Sequence, residues 1–413
     1  MSNLEFNIKD IENISKEEKN LREENLQHFK QIGFPSKKLE DWKFTDLNQI
    51  IEKNFNNLDS NYSSKGINNI KKIKDFKHNS ITLVNGILKT NDFEHEDKDK
   101  IKINKYEEKI LKRDEKSNPL INLNNALFDG GYCLKIANDY KFSKPLIIYN
   151  HFSDNLENKI LNNKNLINLG DNSELEIIEI SSDIEKGNFI QNNYTSVNIG
   201  ENSNLKSYIL QSCKSNGFFY KFLKGSLGNR SNYDELILSS GLKFNRIEEN
   251  IDILGEEANC SIQSALFLNK DSHQEIKTKI NHLKPNSKSY QKIKNVLNDN
   301  CKGIYQGKIY VKDVAQKTNA YQLSKALLLN DTSEFNAKPE LEIYADDVKC
   351  SHGSTSGSIN EDSIYYLMTR GIRRKNAIEL LTKAFLSEII SSISNSEIKI
   401  FLEKYLDKQI YEY

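Results

Sequence analysis

INLGDNSELEII (residues 167–178) is the first of four stretches that share one template. The others are VNIGENSNLKSYI (197–209), GSLGNRSNYDELI (225–237) and DILGEEANCSIQSA (252–265). In each, alternating apolar residues lead to a glycine, a polar pair and a small residue, after which the alternation resumes. Successive glycines lie 30, 28 and 27 residues apart, and the pattern continues with lysine at the same position 29 and 28 residues further on; these residues are Gly170, Gly200, Gly228, Gly255, Lys284 and Lys312.

A repeat of about 28 residues built only from strands and turns indicates a parallel β-helix in which each copy forms one coil. One coil cannot bury its inward face alone, whereas stacking gives each inward apolar residue neighbours above and below. Glycine or asparagine at the corners would permit the positive φ of sharp bends. An ordinary β-sandwich with evenly spaced turns is the alternative, but it would not repeat its turn chemistry so regularly.

Helices are predicted before the repeat. Ser15 and Glu18 fit a capping box, and the helix that they start should end at Gly33. A second helix is expected within residues 38–51. Residues 81–90 (ITLVNGILKT) predict a hairpin around an Asn-Gly turn.

Helices are also predicted after the repeat. Asn360 is a candidate N-cap for a helix that ends near Gly371, and an amphipathic helix follows over 377–389. The resulting fold class is mainly β: a right-handed parallel β-helix flanked by N-terminal and C-terminal helical domains. The predicted domains are an N-terminal helical and mixed domain (1–118), the β-helix core (119–357) and a C-terminal helical domain (358–413).

Composition limits the classes of function. The 58 basic and 58 acidic side chains cancel, which argues against nucleic acid as a partner. No apolar run approaches the ~18 residues of a membrane span, and the N-terminal stretch resembles no signal or transit peptide. We therefore expect a cytoplasmic protein with no membrane partner. Five scattered cysteines without a C-x-x-C pair argue against a disulfide framework.

The stretch ADDVKCSHGSTSG (345–357) holds a cysteine and a histidine one residue apart. On a strand, Cys350 and His352 would share a face, and thiolate and imidazole both suit zinc or iron. We expect this face to point outward. Two ligands leave a tetrahedral site incomplete, so a buried thiol beside a hydrogen-bonded histidine is the alternative.

Several stretches carry a resemblance to a known family. KPELEIYADDVKCSHGSTSGSINEDSIYYLMTRGI (338–372) resembles the hallmark of the SufB/SufD family, the scaffold subunits of the Suf iron–sulfur cluster assembly machinery. LEDWKFTDL (39–47), NPLINLNNALFDGGYCLKI (118–136) and AQKTNAYQLSKALLL (315–329) are similar to further family motifs. The KPELEI lead-in of 338–372 and the WKFTDL motif within 39–47 resemble the SufD branch more than the SufB branch. Ser324 stands where SufB carries a cysteine important for the nascent cluster, so the resemblance does not imply a sulfur-accepting role.

The resemblance implies a non-enzymatic scaffold that pairs with SufB through the β-helix and with the SufC ATPase through the C-terminal helices. It places the family's functional histidine on His352 and the interface cysteine on Cys350, as ligands of a transient iron–sulfur cluster completed by SufB. Arg370, Arg373 and Arg374 are the predicted SufC-side residues. Family behaviour also implies a reduced flavin on the complex, no cofactor tightly bound to the isolated chain, and a homodimer when SufB is absent.

Two alternatives to this function stay open. The first is a SufB-type scaffold subunit. The second is a polysaccharide-degrading enzyme, because many lyases and hydrolases of that kind are parallel β-helices with carboxylate-lined grooves.

Overall fold

The architecture is a parallel β-helix with helices packed on both of its broad faces. The computed structural model describes residues 6–8, 15–62, 72–106, 118–153, 155–182, 187–211 and 217–411. The strands are β1 (Asn79–Val84), β2 (Ile87–Asp92), β3 (Ile101–Lys105), β4 (Gly130–Ile136), β5 (Leu146–His151), β6 (Lys159–Leu169), β7 (Glu174–Ser181), β8 (Phe189–Ile199), β9 (Asn204–Gln211), β10 (Phe218–Leu227), β11 (Asn232–Ser240), β12 (Phe244–Ile253), β13 (Asn259–Leu268), β14 (His273–His282), β15 (Lys288–Leu297), β16 (Lys302–Val311), β17 (Asn319–Leu328), β18 (Glu334–Ile343) and β19 (Lys349–Ser358).

Each coil contributes two long strands, one to each of two parallel stacks. The even-numbered stack runs from β4 to β18 and the odd-numbered stack from β5 to β19, with every strand pairing in parallel with the strand two places on. Inward side chains lie above one another and fill the interior, as the columns Ile247–Ile276 and Ile251–Ile280 show. The predicted parallel β-helix is confirmed.

The positive φ predicted for glycine or asparagine at the corners occurs, but not at the turn glycines. Gly200 and Gly255 are not among the residues with positive φ; asparagine or another residue two places later takes that role, as Asn202 does (φ 53°). A Cβ atom on Gly255 would instead lie 2.1 Å from the backbone nitrogen of Asn229 in the preceding coil. The predicted positive φ at the corners thus falls on asparagine and not on glycine in the coils of Asn172, Asn202 and Asn286. Glycine is needed at Gly255 because backbone stacks directly on backbone.

The N-terminal helices lie on the outer face of the even-numbered stack. They are α1 (Lys16–Ile32) and α2 (Leu47–Asn54). Ser15 caps α1 by accepting from the backbone nitrogen of Glu18 at 3.1 Å, and Gly33 ends it at φ 74°, as predicted. The predicted second helix is only partly correct: Glu40–Trp42 forms a 3-10 turn and α2 begins later, at Leu47. The hairpin β1–β2 forms at its Asn-Gly turn as predicted.

A buried arginine anchors the N-terminal segment on the coils. Arg246 lies on the outer face of β12 with its guanidinium carbon 3.9 Å from the ring centre of Trp42. Its Nη2 donates to the backbone oxygen of Asp41 at 2.7 Å, and its Nη1 lies 2.5 Å from a carboxylate oxygen of Glu275. Thr45 donates to the same carboxylate at 2.9 Å. The stretch LEDWKFTDL thus anchors the N-terminal segment to the coils through these contacts.

The remaining helices are α3 (Pro119–Leu127), α4 (Glu361–Thr369), α5 (Arg374–Ser387) and α6 (Ser396–Tyr411). Asn360 caps α4 through a 2.7 Å hydrogen bond from the backbone nitrogen of Ser363, as predicted. Leu386, Leu402 and Leu406 belong to one buried cluster with outward apolar residues of the odd-numbered stack. The C-terminal helices therefore cover the face opposite to the N-terminal ones.

Candidate functional site

The coil formed by β18 and β19 is the uncovered end of the β-helix. β18 pairs with β16 and β19 with β17, and in the described part of the chain no later strand stacks on either. Eight of the ten residues of β19 are exposed, whereas β17 below it has buried inward positions. Unpaired backbone groups along such strands are a ready template for another chain.

Cys350 and His352 share one face of β19, as predicted, but that face is the inward one. They lie in register with Ala320 and Gln322 of β17, which are both fully buried. The prediction of an outward face was therefore wrong. His352 is nevertheless exposed and Cys350 half-buried, because no coil covers this last rung. The inner column of the β-helix thus ends in a thiol and an imidazole that are open to a docking surface.

The environment of Cys350 differs from that of His352. The thiol packs on the apolar cluster that includes Val311, Ala320 and Ala345, and burial raises its pKa above the ordinary thiol value. Cys350 is therefore protonated at neutral pH. Binding of a metal would displace this proton, which makes binding pH-dependent.

Cys350 and His352 bring a thiol and an imidazole, which can both bind a metal, to the end of the coil. Among the residues that the structure describes, no group of three or more His, Cys, Asp or Glu side chains is arranged to hold a metal ion. Cys133, Cys260 and Cys301 are buried and form no disulfide bond within the described part of the chain, while Cys213 lies outside the described residues. The Cys350 thiol and the His352 imidazole fit a thiophilic metal or cluster whose other ligands come from elsewhere.

Ser324 lies one coil below the open end. It is fully buried on β17, in register with Ser354 of β19, and donates to the Ser354 hydroxyl at 2.9 Å. Gln322 lies beneath His352 and accepts from the Tyr305 hydroxyl at 3.1 Å. Sequence reasoning missed Gln322 and Ser354 as neighbours of the pair, although the 30-residue register between the last two coils would have shown them.

The three predicted arginines lie on or after α4 but do not act alike. Arg374 forms a two-point ion pair with Glu361, at 2.8 and 2.7 Å, and so ties the start of α5 to the start of α4. The Arg370 guanidinium lies 5.3 Å from the ring centre of Tyr366, and Arg373 stands at the N-cap of α5. Arg370 is thus the arginine directly associated with an exposed aromatic side chain.

Exposed apolar residues gather on α4. Tyr365 is 70% exposed, Tyr366 58% and Met368 42%. Large apolar side chains at this degree of exposure on one short helix are typical of a protein interaction surface. We call these three residues with Arg370 the α4 surface.

Carboxylates line the outer groove between the N-terminal segment and the coils, and three of them, Asp41, Glu248 and Glu340, are ion-paired. Lys277 lies 2.7 Å from a carboxylate oxygen of Glu248 and 2.9 Å from one of Asp41. Neighbouring cations lower the pKa of Glu248 below its ordinary value despite burial. A general acid for sugar cleavage needs a raised pKa, which excludes Glu248 from that role. Burial raises the pKa of the neighbouring Glu249, but Glu249 shares the inward face of β12 with Ile247 and Ile251 and is buried.

The structure thus defines a class of protein. It is a parallel β-helix with helical segments on both faces and a Cys–His pair at its open end. The family profile described as "SUF system FeS cluster assembly, SufBD core domain" matches residues 151–385, and the "SufBD protein N-terminal region" profile matches residues 7–98. The chain belongs to the SufBD family.

Named relatives match over shorter stretches. "Iron-sulfur cluster assembly protein SufD" of Escherichia coli is 34% identical over 145 residues, which are 35% of this chain and 34% of that protein. "Protein ABCI7, chloroplastic" of Arabidopsis thaliana is 32% identical over 170 residues, 41% of this chain and 36% of the relative. A SufBD family protein of Synechocystis is 39% identical over 123 residues, 30% and 26% respectively. The matched stretches thus span about a third of these relatives or less.

Within the described residues, none of the helices has both the length and the apolar content that crossing a bilayer requires.

Proposed function

We propose that this chain is a SufD-type, non-enzymatic scaffold subunit for iron–sulfur cluster assembly in the cytoplasm. In this proposal it is organised as an N-terminal domain (1–118), a β-helix core (119–357) and a C-terminal domain (358–413). It pairs with SufB through the open coil and with SufC through the α4 surface. The observation that carries the proposal is the accessible, incomplete ligand pair Cys350 and His352 on a coil that nothing in the described chain covers.

The pairing with SufB rests on the exposed edges of β18 and β19. A partner strand laid along β19 would satisfy its outward backbone groups and bring further ligands to Cys350 and His352. The nascent cluster is cargo in this scheme, held by both chains. SufB-type function is the alternative, and the buried serine at Ser324, where SufB carries its cysteine, favours the SufD type.

Amide hydrogen exchange tests the SufB interface. The backbone of Lys349–Ser358 should exchange rapidly in the isolated chain at low concentration and should become protected when SufB is added. The buried strand β13 serves as an internal control, since its exchange should not change. Equal exchange of β19 with and without SufB would reject this interface, and protection that depends on the concentration of the chain alone would show the proposed homodimer.

The SufC interface calls for point variants, because the C-terminal helices also cover the odd-numbered stack. Removing 358–413 would expose the buried cluster around Leu386 and Leu402 and cause misfolding for unrelated reasons. The double variant Tyr365→Ser, Tyr366→Ser should lose SufC in a pull-down and keep SufB. Tyr290→Ser, which alters an exposed tyrosine on β15, is the matched control. Undiminished SufC capture by the double variant would refute the assignment.

The proposed cofactors belong to the assembled complex and not to the isolated chain. A transient cluster would reside on the assembled complex, and the isolated chain would carry none tightly bound. A reduced flavin would associate with the complex. Iron and flavin analysis of the isolated chain and of the complex with SufB and SufC separates the two states, and iron retained by the isolated chain after gel filtration would contradict this division.

A further inference from the structure

A cavity of about 550 Å³ lies between α2 and the even-numbered stack. None of its lining residues belongs to β19. Five lysines line it: Lys37, Lys53, Lys243, Lys270 and Lys302. Its size falls within the range of about 300–1,000 Å³ that small-molecule sites occupy. The proposed scaffold function makes no use of it.

The lining of this cavity contains more lysines than carboxylates. Lys302 lies 3.5 Å from Glu334, and the wall includes the carboxylates of Asp46 and Asp271. Asp46 caps α2 by accepting from the backbone nitrogen of Gln49 at 3.0 Å. Among the described residues, Lys53 forms no ion pair. An excess of positive charge in a concave site favours an anionic ligand.

A histidine in the wall adds a hydrogen-bond acceptor. Nε2 of His273 lies 3.0 Å from the Thr45 hydroxyl, whose single proton is donated to Glu275 at 2.9 Å. In the tautomer that satisfies both contacts, Nε2 carries the imidazole proton and donates to the Thr45 hydroxyl. Burial and the nearby Lys302 and Arg246 charges lower the pKa of His273 to about 3, so Nδ1 keeps its lone pair. Because His273 lines the cavity, this lone pair is the acceptor that its imidazole offers for a ligand hydroxyl or amino group.

The cavity also has an apolar wall, formed by Phe44, Ile50 and Phe218. Phe218 is buried and packs edge-on against Phe55, with ring centres 4.9 Å apart. A bare inorganic anion would leave the partly exposed side chains of Phe44 and Ile50 uncovered. An aromatic ring would cover it while an attached anionic group reached the lysines.

We propose that this cavity binds a nucleoside monophosphate. The phosphate contacts the lysine ammonium groups, the base lies on the apolar wall, and a ribose hydroxyl donates to Nδ1 of His273. Compact ammonium groups bind phosphate as point charges, and the three features together match phosphate, ring and hydroxyl on one small molecule. The lining of this site includes neither Cys350 nor His352.

Isothermal titration of the full chain with AMP at low salt tests the proposal. AMP should bind with saturation at one site, whereas adenosine and inorganic phosphate should each bind at least tenfold more weakly. Raising the salt concentration should weaken AMP binding. Absence of AMP binding, or equal binding of inorganic phosphate alone, would overturn the proposal.

Variants locate the site. Lys53→Glu changes an exposed helical residue and should lower AMP affinity at least tenfold, whereas Lys16→Glu, an equal charge reversal on α1, should leave it unchanged. His273→Leu should weaken AMP binding several-fold and leave the binding of inorganic phosphate as it was. If His273→Leu fails to fold by circular dichroism, the Lys53 comparison alone decides. Equal AMP affinity in Lys53→Glu and the unaltered chain would place the ligand elsewhere.

Discussion

Replacing Gly255 by alanine should loosen the stacking of two coils. The added Cβ atom would lie 2.1 Å from both the backbone nitrogen of Asn229 and the carbonyl carbon of Gly228. Favourable contacts between non-bonded heavy atoms lie at about 3.5–4.0 Å, so one coil must shift by more than about 1 Å. Both obstructing groups are backbone, which cannot escape by changing a rotamer.

The free energy of unfolding should fall by at least about 3 kcal/mol, which is the upper part of the range for overpacked cores. Because a coil contacts mainly its two neighbours, the loss should concentrate between β10–β11 and β12–β13. Gly357→Ala is the matched control: its Cβ meets nothing within 4 Å, and the change should stay within about 0.5 kcal/mol.

Urea unfolding gives the global change, and amide hydrogen exchange of the same samples shows where it acts. Gly255→Ala should unfold at a lower urea concentration than the unaltered chain. The substitution should accelerate amide exchange in β11 and β13 more than in β6. If Gly255→Ala proves as stable as Gly357→Ala, then direct backbone stacking does not explain the glycine spacing, and the account of the repeat fails.

Three other changes have definite expected outcomes. Arg246→Met should destabilise by about 3–5 kcal/mol, because it leaves the fully buried Glu275 without its ion-pair partner; urea unfolding measures it, and a change under about 1 kcal/mol would contradict the anchoring role. Asn360→Ala should cost about 1 kcal/mol through loss of the α4 cap, seen as faster exchange in α4, and unchanged exchange would count against it. Hydrogen bonds from Lys292 and Lys294 lower the pKa of Glu388 to about 2. The folded value lies below the unfolded one, so its contribution is present above about pH 4.5 and is lost as the pH falls toward 2; Glu388→Gln should therefore flatten the pH dependence of stability in that window, and an unaltered profile would contradict the assignment.

The repeat was predictable because its chemistry recurs at fixed spacing. Alternating apolar residues with a turn every 27 to 30 residues leave few architectures, and the caps at Ser15 and Asn360 are local signals that need no tertiary information. The 3-10 turn at Glu40–Trp42 was not predictable in this way. It forms because Arg246, 204 residues away from Trp42 in the chain, fixes the ring and the backbone oxygen beside it.

The sequence predicted which residues form the candidate site, but not whether their side chains point into or out of the β-helix. Strand alternation places Cys350 and His352 on one side, yet alternation does not say which side is inward. Register with Ala320 and Gln322 supplies that information, and the end of the stack explains why an inward face is exposed. The cavity beside α2 gave no sequence signal, because its lysines come from separate segments that only the fold brings together.

The most direct test of the proposed function is iron and sulfide bound by the complex after co-expression with SufB and SufC. His352→Ala should leave the subunit composition intact and abolish cluster loading, because the pair at the open coil loses its nitrogen ligand. His28→Ala, at a partly exposed histidine on α1, should load like the unaltered chain. Full loading of an intact His352→Ala complex would contradict the proposal that the last coil of this β-helix holds the nascent cluster.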